Sequence, residues 1–232
     1  SYDKVRYKYG VINSSRIKSS QSFLADFEIV KEKKFALFVL LAPPNYIEDE
    51  EVSIRFSKES TGVSDIYDSD LPSSFELTKY KLDTLVVDDN FEVNDDIVER
   101  VVSTLALKDE KSKDHTVREM ELSAFTSFAR GSGPAFLTHV IENFIKSNHS
   151  KEVDELLGIN REIHKKVEII SVVIREHDLV RFYESKLEFQ KMAEDELLEV
   201  GADGTIKGLE HGVFAHRSFH LAFLNRVIDL QK

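Results

Sequence analysis

The sequence predicts an α/β (α+β) fold, a mixed central sheet with helices on both faces, and three observations predict it. The second half alternates strand, Gly-rich turn, helix, strand, helix, strand. Residues 167–174 form a continuous β-branched run, which a sheet covered on both faces asks for. Hydrophobic residues make up 41% and charged residues 31% of the 232 positions, enough to bury a core. The chain is expected to divide into an atypical N-terminal half, residues 1–110, and a more regular half, residues 111–232.

In order along the chain, the apolar runs 34–41 and 52–56 read as two strands flanking Pro43-Pro44-Asn45 and an acidic stretch. Residues 57–74, rich in Ser, Asp and Gly, read as a loop, and residues 75–87 as one bent or two short strands. Asn94 is placed to cap a helix whose Ile97, Val101, Val102 and Leu105 fall on one face. Residues 108–115 are a charged connector. A strand over residues 119–128, a helix over 134–146, a strand over 167–174 and a short helix over 178–185 follow, with last strands from Phe189 and over 212–228, the latter ending in a helix. The alternation implies parallel pairing through a crossover.

Composition narrows the function classes. With no cysteine there is no disulfide framework, thiolate zinc site or cysteine nucleophile, and a reducing compartment, cytoplasm or nucleus, is expected. A formal net charge of -11 disfavours direct nucleic-acid binding and favours a cationic partner, an amine or a basic peptide. No apolar run is long enough for a membrane helix, and Ser1-Tyr2-Asp3-Lys4 opens no secretory signal, so neither membrane nor secretion is expected. His211, His216 and His220 lie close in sequence, but strand alternation and the lack of an HExxH arrangement favour structural histidines, and no metal is expected. No GxSxG elbow supports a hydrolase.

The turn Arg130-Gly131-Ser132-Gly133-Pro134-Ala135 carries the clearest chemistry. Its glycines admit backbone closed to other residues, Pro134 suits a helix start, and successive N–H groups then face outward at a helix's positive end, with Arg130 adding charge. Such a turn suits a pyrophosphate; it also suits a plain strand-to-helix turn. Some forty residues on stands Phe182-Tyr183-Glu184-Ser185-Lys186-Leu187-Glu188-Phe189.

Together, and in this order, the two segments resemble the GNAT superfamily of N-acetyltransferases. Arg130-x-x-Gly133-x-Ala135 looks like its signature Gln/Arg-x-x-Gly-x-Gly/Ala, which follows the fourth strand and opens the helix beneath the coenzyme's pyrophosphate. The second segment is similar to the family's Phe-Tyr-Glu-x-x-Gly-Phe, with one extra residue and Glu188 where Gly is usual. The resemblance spans about residues 117–190, and the first hundred residues do not share it. It implies a GNAT-like sheet, acetyl-CoA as co-substrate, and coenzyme contacts from Ser123, Ala124 and Phe125 to the pantetheine arm and from Arg130, Gly131, Ser132, Gly133, Pro134 and Ala135 to the pyrophosphate.

Direct acetyl transfer to an amine needs a base, a polarised carbonyl and a proton for the thiolate. By resemblance, Glu119, eleven residues before the signature, is the base, with Glu121 one pleat along as the alternative, and Tyr183 is the acid. The alternation over residues 117–121 equally fits a solvated strand end, and Tyr183 an aromatic packed on the sheet. Two readings therefore stand: an N-acetyltransferase acting on a small-molecule amine, a lysine or an N-terminus, and a non-catalytic GNAT-like module that senses coenzyme or binds a partner protein.

Overall fold

The computed structural model describes residues 36–44, 77, 81–87, 92, 94–127, 132–147, 150–174, 179–192, 199–200, 206–207 and 221–231. Within them lie β1 (Ala36–Leu41), β2 (Asp83–Val87), α1 (Asp95–Arg100), β3 (Val101–Asp109), β4 (Val117–Ser127) and α2 (Ser132–Val140), which continues as a π-helical stretch, Ile141–Lys146. Then come α3 (Lys151–Leu157), β5 (Lys166–Ile174), α4 (Leu179–Lys186), the two-residue strands β6 (Gln190–Lys191), β7 (Glu199–Val200) and β8 (Ile206–Lys207), and β9 (Leu221–Asp229). The fold is mixed α/β around a mostly antiparallel sheet. Two compact units divide the chain: Ser1–Lys108 with Ser123–Glu142, and Asp109–Leu122 with Asn143–Lys232. The strand expected over 52–56 and the loop over 57–74 lie outside the described residues, and of the strand or strands expected over 75–87 the described part holds β2.

In the first unit β1 runs antiparallel to both β2 and β3, with a bulge between Leu40 and Leu41. All six of its residues are buried, as a run without a polar face requires. The helix begins as its sequence predicts: the Asn94 side chain accepts the Ile97 N–H at 2.9 Å. It does not end as predicted. After six residues the chain turns into β3, so Val101, Val102 and Leu105 are strand residues and not a helical face. The reason is partly local, because Val101, Val102 and Thr104 are β-branched and stiff at χ1. It is also tertiary: Ala42 N–H donates to the Arg100 carbonyl at 2.7 Å and Arg100 Nε to the Ala42 carbonyl at 2.9 Å, which stops the helix where β1 offers a partner.

In the second unit the start of β4 pairs in parallel with β5, from Val117↔Lys166 to Glu121↔Ile170. The other edge of β5 pairs antiparallel with β9 over nine residues, and β6 pairs with β9. Among the described residues, the parallel pairing implied by the alternation is found between β4 and β5 alone: β5 is interior, with one parallel neighbour and one antiparallel. Val167, Ile169, Ile170, Ser171 and Val173 are buried, but Glu168 and Val172 are half-buried, so burial on both faces is incomplete. The C-terminal segment remains a strand to Asp229 and does not end in a helix, because its β-branched Val227 and Ile228 continue the ladder with Glu168 and Val167.

Guanidinium groups close the ends of the helices here. Arg161 donates to the carbonyls of Ile145 (2.9 Å), Lys146 (3.3 Å) and Ser147 (2.9 Å) and grips both carboxylate oxygens of Asp154 at 2.7 Å. It thereby serves carbonyls that a helix C-terminus leaves without partners. Gly158 ends α3 at φ 64, a left-handed backbone that glycine adopts without steric cost, and a Cβ there would also meet the Arg118 guanidinium at 3.0 Å.

Among the described residues, Thr104 Oγ1 on β3 is a buried polar atom with no hydrogen-bond partner. Thr104→Val replaces that hydroxyl by a methyl of the same shape. It is expected to stabilise the protein by about 1 kcal/mol, read from the urea midpoint, because the desolvated hydroxyl is removed and no bond is lost.

Candidate functional site

The signature residues fall where β4 gives way to α2. Arg130 and Gly131 lie outside the described residues. The helix opens at Ser132, two residues earlier than expected, so Pro134 occupies the third helical position and not the first. Proline is still tolerated there, since the first turn's N–H groups have no intrahelical acceptor. Ser132 and Gly133 are buried and Pro134 and Ala135 half-buried, while Phe136, Leu137 and Val140 form the buried stripe of α2.

Gly133 has a packing reason to be glycine. A Cβ at this position would stand 2.5 Å from Ser127 Oγ and 3.0 Å from the Phe125 ring, so these side chains or the helix would have to shift. Ser127 in turn is held from β3: Ser103 Oγ donates to the Thr126 carbonyl at 2.8 Å and lies 3.2 Å from Ser127 Oγ. Ser123 is exposed, its hydroxyl directed at the Ala106 carbonyl at 3.5 Å, and Phe125 is half-buried. The backbone of Ser123, Ala124 and Phe125 lies beyond the parallel ladder, which ends at Glu121↔Ile170.

Glu119 and Glu121 belong to the second unit. Glu119 is half-buried near the start of β4. Its Oε1 accepts the Lys113 N–H at 3.3 Å, its own N–H donates to Ser112 Oγ at 2.9 Å, and its register partner is Glu168, whose Oε1 accepts from Asn225 Nδ2 at 2.7 Å. Burial raises the Glu119 pKa above the ordinary carboxylate value, the charges of Glu168 and Asp114 add to the rise, and the Lys113 N–H opposes it. Glu121 is 8% exposed, so the carboxylate one pleat along is not a solvated one.

Tyr183, on α4, is also 8% exposed, and its ring is met edge-on by Phe182 at 6.1 Å and Phe189 at 5.2 Å. The departures from the family's second motif have a local explanation. The extra residue widens the last turn, so that the Tyr183 carbonyl accepts both the Leu187 N–H at 3.2 Å and the Phe189 N–H at 3.0 Å. Glu188, where Gly is usual, adopts φ 59, the left-handed backbone glycine would take. Arg226 steadies it, donating to the Leu187 carbonyl and to the Glu188 carboxylate, each at 2.9 Å.

The histidines at 211, 216 and 220 lie outside the described residues. Among the described residues no group of three His, Cys, Asp or Glu side chains is placed to hold a metal ion. His164 uses Nδ1 to accept the Asn160 N–H at 2.9 Å, and burial, with the Arg118 charge nearby, lowers its pKa. No described helix is long and apolar enough to cross a membrane. Sequence reasoning passed over Ser103, Ser127 and Arg226. For Ser103 a signal existed: a serine among valines and leucines in a strand must satisfy its hydroxyl.

A family model described as RMD6, sporulation protein RMD6, matches residues 1–228. The sporulation protein RMD6 of Saccharomyces cerevisiae (strain ATCC 204508 / S288c) is 24% identical over 227 residues, covering 95% of this chain and 80% of that one. A solved acetyltransferase from Streptococcus agalactiae 2603 covers 92% of this chain and 96% of its own at 11% identity, with a TM-score of 0.27, at which the likeness carries no argument.

The environment of Glu119 has a consequence in pH. A carboxyl whose folded pKa exceeds its unfolded one favours folding below the unfolded value, here near 4.5, and that contribution is lost as pH rises through the folded value. Glu119→Gln keeps an acceptor for the Lys113 N–H and removes the charge. Its melting temperature is expected to exceed the parent's at pH 7, and the gain to shrink toward zero near pH 4.

Proposed function

We propose that this chain, which belongs to the sporulation protein RMD6 family, is an N-acetyltransferase that moves an acetyl group from acetyl-CoA directly to a primary amine. The observation that carries the reading is the position of Arg130-x-x-Gly133-x-Ala135 between the last residue of β4 and the first turn of α2. A pyrophosphate at that end of α2 meets the positive end of the helix dipole, with Arg130 as a further cation. Ser123, Ala124 and Phe125 then offer backbone groups to the pantetheine arm.

In the transfer the amine nitrogen attacks the thioester carbonyl, the C–N bond forms, the C–S bond breaks, and the thiolate takes a proton. Glu119 is assigned the amine's proton. Its raised pKa makes it a stronger base than an exposed carboxylate. Tyr183 is assigned the proton for the thiolate, a phenol with an ordinary pKa of about 10 being protonated when needed. The acceptor is an amine on a small molecule or on a lysine or N-terminus, and the net charge of -11 favours a cationic one. A cysteine-free chain suits cytoplasm or nucleus, and the yeast relative's name suggests a setting in sporulation.

A second reading, a module that binds coenzyme without turnover, draws on the burial of Tyr183 between two phenylalanine edges, where its ring serves the core whether or not its hydroxyl serves chemistry. An acetylation assay over amines and basic peptides, paired with calorimetry of coenzyme A binding, separates the two. We expect coenzyme binding and turnover, with Glu119→Gln and Tyr183→Phe each lowering kcat by about 10²- to 10⁴-fold at nearly unchanged coenzyme affinity. Binding without turnover on any amine would favour the second reading, and absence of binding would defeat both.

A further inference from the structure

We infer that Ser103, on β3, is a positioning residue for the coenzyme, acting through Ser127 and Gly133 on the first turn of α2; the inference rests on the coenzyme-binding reading above. Ser103 is 0% exposed in a strand whose neighbours Val101, Val102 and Leu105 are equally buried. A hydroxyl there is unfavourable unless bonded. It carries a single proton, which it donates to the Thr126 carbonyl at 2.8 Å. The 3.2 Å contact with Ser127 must then run the other way, with the Ser127 hydroxyl donating to Ser103 Oγ.

That direction has a structural consequence. With its proton turned to Ser103, Ser127 Oγ is held at the one place that Gly133 has to leave clear, 2.5 Å from where a Cβ would be. One line of contacts therefore runs from β3 through the last two residues of β4 to the second residue of α2. An alanine fills most of a serine's volume, so bulk alone does not call for paired hydroxyls. What they add is direction: they set the end of β4 and the seat of α2, and hence the aim of the backbone at the start of that helix. A ligand bound through backbone dipoles is sensitive to small shifts of this kind, because its partners cannot reorient one at a time.

The test is calorimetric titration of coenzyme A into the full chain, well below its melting temperature, for the parent, Ser103→Ala, which nearly keeps the volume, Ser127→Ala, the double variant and Ser103→Cys, whose larger sulfur is a weak hydrogen-bonding group. Thr104→Val is the control, a change on the same strand at the next residue, whose side chain points to the opposite sheet face. Ser103→Ala and Ser103→Cys are expected to weaken binding by about tenfold, the worth of one hydrogen bond, and the double variant no more than the worse single one. Thr104→Val is expected to raise the melting temperature and leave the affinity unchanged, since a change in stability alone does not alter the affinity of folded protein. Parent-like affinity in folded Ser103→Ala would overturn the positioning role and leave the coenzyme reading intact. A parent that does not bind coenzyme A would defeat that reading, and this inference with it.

Discussion

Gly133 lies against β4 so closely that a Cβ at this position would stand 2.5 Å from Ser127 Oγ and 3.0 Å from the Phe125 ring, and the seating of α2 on β4 depends on that approach. With only a hydrogen there, the first turn of α2 settles onto the strand, and Phe136, Leu137 and Val140 follow into the core. The glycine of the signature is therefore required by packing before any ligand is considered. A bulky replacement would displace the helix as well as obstruct a pyrophosphate, so a loss of binding in Gly133→Val would not by itself locate the site. Changes that leave Gly133 in place and alter what it rests on are more informative.

The second unit is organised by a different economy, in which guanidinium groups satisfy backbone carbonyls that the elements leave over. Arg118 Nε serves the Leu157 carbonyl at 2.8 Å, Arg161 three carbonyls at the end of the π-helical stretch, and Arg226 the carbonyl of Leu187. Each fork also holds a carboxylate, Asp109, Asp154 or Glu188, so the cations are neutralised where they are used. This matters for any chemistry assigned to the unit. Arg118 Nη1 meets Glu119 at its backbone carbonyl, 3.2 Å away, and burial dominates the protonation of the Glu119 carboxyl.

Much of the fold was legible in the sequence. The β4–α2 junction, β5 and α4 were readable to within two residues, because Gly131, Gly133 and Pro134 punctuate the first and a β-branched run marks the second. The break at Arg100 was not. Ile97, Val101, Val102 and Leu105 satisfy helical spacing, and the choice of strand was made by β1, some sixty residues earlier, through bonds between Ala42 and Arg100. Antiparallel pairing of β9 with β5 was hidden for the same reason, its register being set between residues as far apart in sequence as Lys166 and Asp229. Of the site, the position of the signature was readable, whereas the Ser103–Ser127 pair was not, since two serines 24 residues apart carry no shared pattern. Glu188 could be seen to depart from the glycine of the GNAT motif that the segment resembles, and only the structure supplies its left-handed backbone and the Arg226 bonds beside it.

The central claim is that the β4–α2 junction binds coenzyme A, and hydrogen–deuterium exchange with and without coenzyme A tests it most directly, because it reports location and needs no substitution. The account predicts that coenzyme slows exchange at the backbone amides of Ser123, Ala124 and Phe125 and at those of Ser132, Gly133 and Ala135. The amides of β9, far along the chain from the signature, should be unchanged. Coenzyme binding that protects other segments and leaves these amides at their unliganded rates would contradict it.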